Sequence, residues 1–152
     1  MANTQSMCTS FMGELLTATH NFTPSTGDTF KAALYLSSAT VDAATTAYSS
    51  TGEVTGSGYT PGGVTVTNAN APASTNSSAT AGVAYWTPSA SITYTSVTLT
   101  TAFDAVLIYN SSKSNKAVSV HTFGSQTVTS GTFTLTMPAN TTSTALLRLA
   151  TT

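Results

Sequence analysis

General acid–base chemistry needs two titratable groups held close together in different environments. The carboxylates available for it are Glu14, Asp28, Asp42, Glu53 and Asp104, and no two stand at a spacing that marks a pair. Glu14 reads as an exposed helix residue, and Asp28 and Asp42 read as turn formers. Asp104 lies beside the most apolar stretch of the chain, so it either pairs with Lys113, Lys116 or Arg148 or ends a strand at the surface. His20 and His121 are far apart, and Cys8 has no partner at metal-ligand spacing, so no zinc motif can be written. A metal at a subunit axis is the one arrangement this leaves open. Gly56-Ser57-Gly58 is a turn rather than a nucleophile elbow, and the glycines from Gly52 to Gly63 are followed by no Gly-Lys-Ser/Thr. A glycan hydrolase would need a carboxylate pair about 5–9.5 Å apart, which five scattered acids do not suggest. The expectation is a non-enzymatic protein with no catalytic residue, no metal and no cofactor.

What remains is the chemistry of contact. Cys8, Phe11, Met12, Leu15 and Leu16 fall at the i, i+3, i+4, i+7, i+8 spacing of one helical face. A helix of about ten residues is marginal alone in water, so this face must dock on its own sheet or on a neighbour. Phe11, Met12, Leu15 and Leu16 are therefore the candidate assembly contacts. Cys8 reads as core, Thr9 or Ser10 as the helix cap, and Gly13 as a cost of about 1 kcal/mol. A second candidate surface is Tyr85 with Trp86, joined by Tyr48 and Tyr59 in turn-rich segments, because aromatic rings stack on the apolar faces of sugars. The plainer reading of these rings is that they fill the core or an interface.

After Gly27 the period changes from helical to two. Phe30, Ala32, Leu34 and Leu36 share one parity; Val64 to Thr67 alternates after the Gly58–Gly63 turn; Val83 to Trp86 forms another short run. Ile92 and Tyr94 have one parity and Val97 and Leu99 the other, which predicts a bulge near Ser96. Phe103 to Tyr109 reads as a central strand covered on both faces, followed by a polar hairpin loop at 110–115 and a return strand through Val118 and Val120. Thr132 to Met137 and Ala145 to Leu149 complete the set. Eight or nine short strands with threonine on the wet face predict an all-β fold, an antiparallel β-sandwich of jelly-roll type with one short N-terminal helix. Residues 1–26 are expected to form a helical arm and 27–152 a single sandwich domain, with a flexible loop or arm at 68–82 that holds no large apolar residue and no charge.

Composition bounds the partners. Nine of 152 residues are charged, 6%, against roughly a quarter in an ordinary soluble domain. With a net charge of −1 there is no basic field for nucleic acid. Roughly a third of the residues are Ser or Thr, so hydroxyls rather than ions wet the surface, and such a surface guards poorly against self-association. Disorder is not expected either, because 40% of residues are apolar. One cysteine excludes an internal disulfide. The N-terminus has no Lys or Arg before its apolar stretch, which predicts no Sec export, and no apolar run reaches the roughly 20 residues of a membrane span.

The order of local phrases resembles a family of small virion-associated proteins of tailed bacteriophages. The matching residues include Glu14-Leu15-Leu16 with Thr19-His20-Asn21-Phe22, Gly27-Asp28-Thr29-Phe30-Lys31 with Ala33-Leu34-Tyr35, and Thr46-Ala47-Tyr48-Ser49. They continue with Gly52-Glu53-Val54 through Gly58-Tyr59-Thr60-Pro61-Gly62-Gly63, Leu107-Ile108-Tyr109-Asn110 and Asn115-Lys116-Ala117-Val118. The resemblance covers most of the chain and brings no activity with it. It implies a virion protein made in the bacterial host cytoplasm, and the charge-poor composition makes a capsid decoration, or cement, protein the leading expectation. The partners would be the major capsid protein and copies of the chain itself, as a homotrimer, with no nucleic acid and no membrane. The alternative is a tail or fibre module that binds a host glycan through Tyr85 and Trp86.

Overall fold

The computed structural model describes residues 2–75 and 82–151. Of the described residues 44% are in strands and 6% in helix, in two antiparallel sheets, which is the all-β class that the period-two pattern predicts. The elements are β1 (Ser6–Met7), α1 (Thr9–Leu16), β2 (Phe30–Leu36), β3 (Val64–Thr65), β4 (Ala73–Ser74), β5 (Val83–Trp86), β6 (Ile92–Asn110), β7 (Lys116–Leu135) and β8 (Leu147–Ala150). The larger sheet has the order β1-β7-β6-β2-β3 and the smaller β4-β5-β8.

Two of the eight strands are long rather than short. The segments predicted separately at 92–99 and 103–109 are one 19-residue strand, and the segment at 117–121 and the part of 132–137 up to Leu135 belong to one of 20 residues. Gly124 reads as a stop in sequence, but with φ +78° it sits inside β7 as part of a kink. Register explains how. From Leu99 to Phe103 four steps of β6 face two of β7, and from Phe103 to Ala105 two steps of β6 face four of β7. The extra residues on alternate strands bend the hairpin so that its outer half lies across its inner half, the way strands turn a corner between packed layers. Phe133 thus meets Phe103 edge to face at 5.0 Å, although the cross-strand partner of Phe103 is Gln126. Tyr94, in the same outer half, donates to the Ala32 carbonyl of β2 at 2.8 Å. The bulge expected near Ser96 is present: Ser96 has φ +53°, the register shifts between Tyr94 and Val97, and Ile92, Tyr94, Val97 and Leu99 are all buried.

β6 runs through the centre of the larger sheet, where residues 105–110 are all buried. β2 beside it hides both faces, since Ala33 and Tyr35 are as inaccessible as Phe30, Ala32 and Leu34. The 38–52 loop covers the second face, and the Tyr35 hydroxyl donates into it at Ser49 O. β3 reaches β2 through Gly63, whose φ is +71°; a Cβ there would stand 1.7 Å from the Ala32 carbonyl oxygen, so only glycine permits this approach.

Residues 2–26, expected as an arm, are laid into this core. β1 pairs with β7 at Ser6↔Val120 and Met7↔Ser119. Asn3 donates to Leu36 O and to the Asp104 carboxylate. Asp104 lies within β6 rather than at the end of a strand, and its described side-chain partner is Asn3. α1 starts after Cys8, which occupies the cap position without a side-chain cap bond. Thr9 and Ser10, the expected caps, are inside the helix. The first amides are served instead by other segments, Cys8 N–H by Val118 O and Thr9 N–H by Ala43 O. Ala18, with φ +52°, ends the helix. Of the predicted 68–82 loop, Ala73–Ser74 forms β4, and 76–81 lie outside the described residues.

Candidate interaction surface

The predicted helical face divides when α1 docks. Cys8 and Phe11 are 0% and 2% exposed, Leu15 is partly buried, and Met12 and Leu16 are 45% and 90% exposed. A helix that meets a sheet on one side presents only part of a wide apolar stripe to it. Phe11 begins a stack of rings that joins the helix to both sheets. It meets Phe22 at 6.0 Å, Phe22 stacks on Phe30 of β2 at 4.3 Å, and Trp86 of β5 meets Phe22 at 4.8 Å.

Trp86 is therefore core. It is 3% exposed, and its indole N–H donates to Asn68 Oδ1 and to Asn70 O. Tyr85 is half-buried beside it. Tyr48 and Tyr59 also point inward, donating their hydroxyls to Glu53. The rings proposed as a sugar platform thus do not share one exposed plane, but Tyr85 and Trp86 do meet two of the helix candidates. Phe11, Leu15, Tyr85, Trp86, Leu147 and Leu149 line one groove of about 110 Å³, closed further by Phe22, Pro72 and Ala84. Leu149 at its rim is 42% exposed. The fold brings two candidate sets, one near the N-terminus and one from the middle of the chain, into one apolar surface.

A polar clamp behind the helix sets its position. Glu14 is not an exposed helix residue: its side chain is 15% exposed, with Oε2 against His20 Nε2 at 2.7 Å and Oε1 against Lys116 Nζ. The Asn110 amide donates both to His20 Nδ1 at 3.0 Å and to Asp28 Oδ2 at 2.8 Å. An amide nitrogen only donates, so Nδ1 accepts and Nε2 carries the hydrogen given to Glu14. Lys113 lies 3.7 Å from Asp28. Burial by itself would push the Glu14 and Asp28 carboxyls up. For Glu14 the bonds from Lys116 and His20 outweigh it, and for Asp28 those from Asn110 and the Asn21 amide; both carboxyls are held below their usual range. The clamp ties α1 to the β6–β7 turn.

A second polar centre escaped the sequence reading. Glu53, 6% exposed, accepts the hydroxyls of Tyr48 and Tyr59 and the Gly62 amide at 2.6–2.7 Å. Burial first, and then the bond to this carboxylate, pushes both phenols well above their ordinary range. Its three donors come from residues 5, 6 and 9 positions away, so the hub organises the 48–62 loop rather than facing solvent.

Among the described residues no three of His, Cys, Asp and Glu come together as metal ligands, and no helix is long and apolar enough to cross a membrane. No protein-family model, curated protein or solved structure matches this chain.

Proposed function

We propose that the protein is a non-enzymatic structural component of a tailed-phage virion, a decoration or cement subunit that joins the major capsid protein and copies of itself as a homotrimer. The observation that carries this reading is the apolar surface around α1. A leucine 90% exposed stands on a firmly docked helix, next to an open apolar groove. Apolar surface of this kind marks contact sites when it is contiguous. The phage context is supported by the resemblance of the chain's phrases to small tailed-phage virion proteins. The charge-poor, hydroxyl-rich composition supports a surface that neighbours cover. Symmetry supports the mechanism, because a trimer that touches several capsid subunits multiplies weak contacts.

Antibody labelling of purified particles under the electron microscope tests the proposal. Label spread over the head is the expected result. Label confined to the tail would replace decoration with a host-binding role, and absence from particles would overturn the virion assignment.

A further inference from the structure

We infer that the groove between α1 and the smaller sheet is filled by Leu16 of a second copy of this chain. The inference deepens the assembly reading above and rests on it for the biological setting.

Volume selects the kind of occupant. At about 110 Å³ the groove is smaller than the roughly 150 Å³ cavity that accepts benzene and far below the roughly 300–1,000 Å³ of pockets for drug-sized ligands. It suits one aliphatic side chain. The chain itself displays such a side chain one residue beyond the groove-lining Leu15, since Leu16 is 90% exposed. Rigidity favours the same pairing. Phe11 anchors α1 in the core, and Glu14 ties it to Lys116 and His20, so little ordering entropy is lost when Leu16 is buried.

Charge allows two copies to meet here. The only ionisable side chain on α1 is Glu14, and it is turned inward and bonded to Lys116 and His20. No like charge on the helix opposes its own copy, and depletion of charge is what the centre of an interface requires. A standard contact covers about 800 Å² per partner, roughly a tenth of a small protein's surface. The chain exposes 7515 Å², and Met12 and Leu149 extend the apolar rim around the knob and the groove. Leu16 and the groove lie side by side on one surface; a head-to-tail contact between them, the kind a homotrimer uses, closes into a ring when the rotation between copies permits.

Sedimentation velocity over a concentration series tests this with the full chain and two variants at exposed positions, Leu16→Lys and Ala84→Glu. The wild type is expected to associate. Each variant alone is expected to raise the dissociation constant at least about tenfold, with circular dichroism unchanged. An equimolar mixture of the two is expected to associate again, because the new lysine meets the new glutamate while the second contact stays native. A wild type that sediments as a 15.4 kDa monomer would overturn the inference. So would variants that associate like wild type, or single variants that stay monomeric when mixed. The two proposals fail separately. Association through Leu16 in a chain missing from particles removes the virion role and keeps this contact, whereas a head-bound chain indifferent to Leu16→Lys does the reverse.

Discussion

At the scale of single residues, the most informative group is His121. It lies on β7 with Nε2 2.9 Å from Ser119 Oγ, and it lines a cavity of about 180 Å³ with Ile92, Val106, Ile108 and Leu135, between the two halves of the bent hairpin. Burial there lowers its pKa from 6.5 to about 4. The unfolded chain therefore binds a proton between these values that the folded chain does not, and stability falls as pH drops through that window. From pH 7 to pH 5 the loss attributable to this one group is about 2 kcal/mol, at 1.36 kcal/mol per unit. His121→Gln, which keeps a partner for Ser119, should flatten this slope. Urea unfolding at pH 7 and pH 5 checks it, and an equal loss in both proteins would show that other groups carry the acid sensitivity. Glu14 and Asp28 act lower down: their depressed pKa values give stability that is present above the unfolded carboxylate range and lost as pH falls through the folded values.

At the scale of elements, α1 has two sides with different duties. Phe11→Ala should cost about 3–5 kcal/mol, because it empties a buried site against two other rings, His20 and Phe22. Met12→Ala, at a position 45% exposed, should stay within about 0.5 kcal/mol. Equal losses in denaturant unfolding would mean that the helix is docked differently. The contrast also shows what could be read from sequence. Helical spacing located α1 and its apolar residues, but not which of them face inward, since that depends on the direction from which the sheet approaches. Parity located the Ser96 bulge because each side of it holds two large residues. The Gly124 kink looked like a strand end, because a glycine with positive φ serves a turn and a bulge equally well. The groove was legible only as separate halves, Phe11 and Leu15 near one end and Tyr85 and Trp86 in the middle. The Glu53 hub was not legible, since its hydroxyl donors are spaced by a loop that has no period.

At the scale of the whole molecule, nine charged residues in 152 leave the proposed self-association to apolar burial and hydroxyl contact. The described ion pairs, Glu14–Lys116 and Asp28–Lys113, are internal ties between α1, the loop after it and the β6–β7 turn. They do not supply a charged surface for a partner. A contact centred on Leu16 and the groove should then respond to salt in a characteristic way. Screening has little to act on, so the dissociation constant for self-association should change less than about twofold between 50 and 500 mM sodium chloride, a range over which exposed charge pairs are strongly screened. Sulfate works through exclusion from protein surface rather than through screening, and it should tighten the association. Sedimentation in the two salt series separates these effects. A steep weakening in sodium chloride would mean that the few charges left on the surface, rather than the apolar face of α1, hold the copies together.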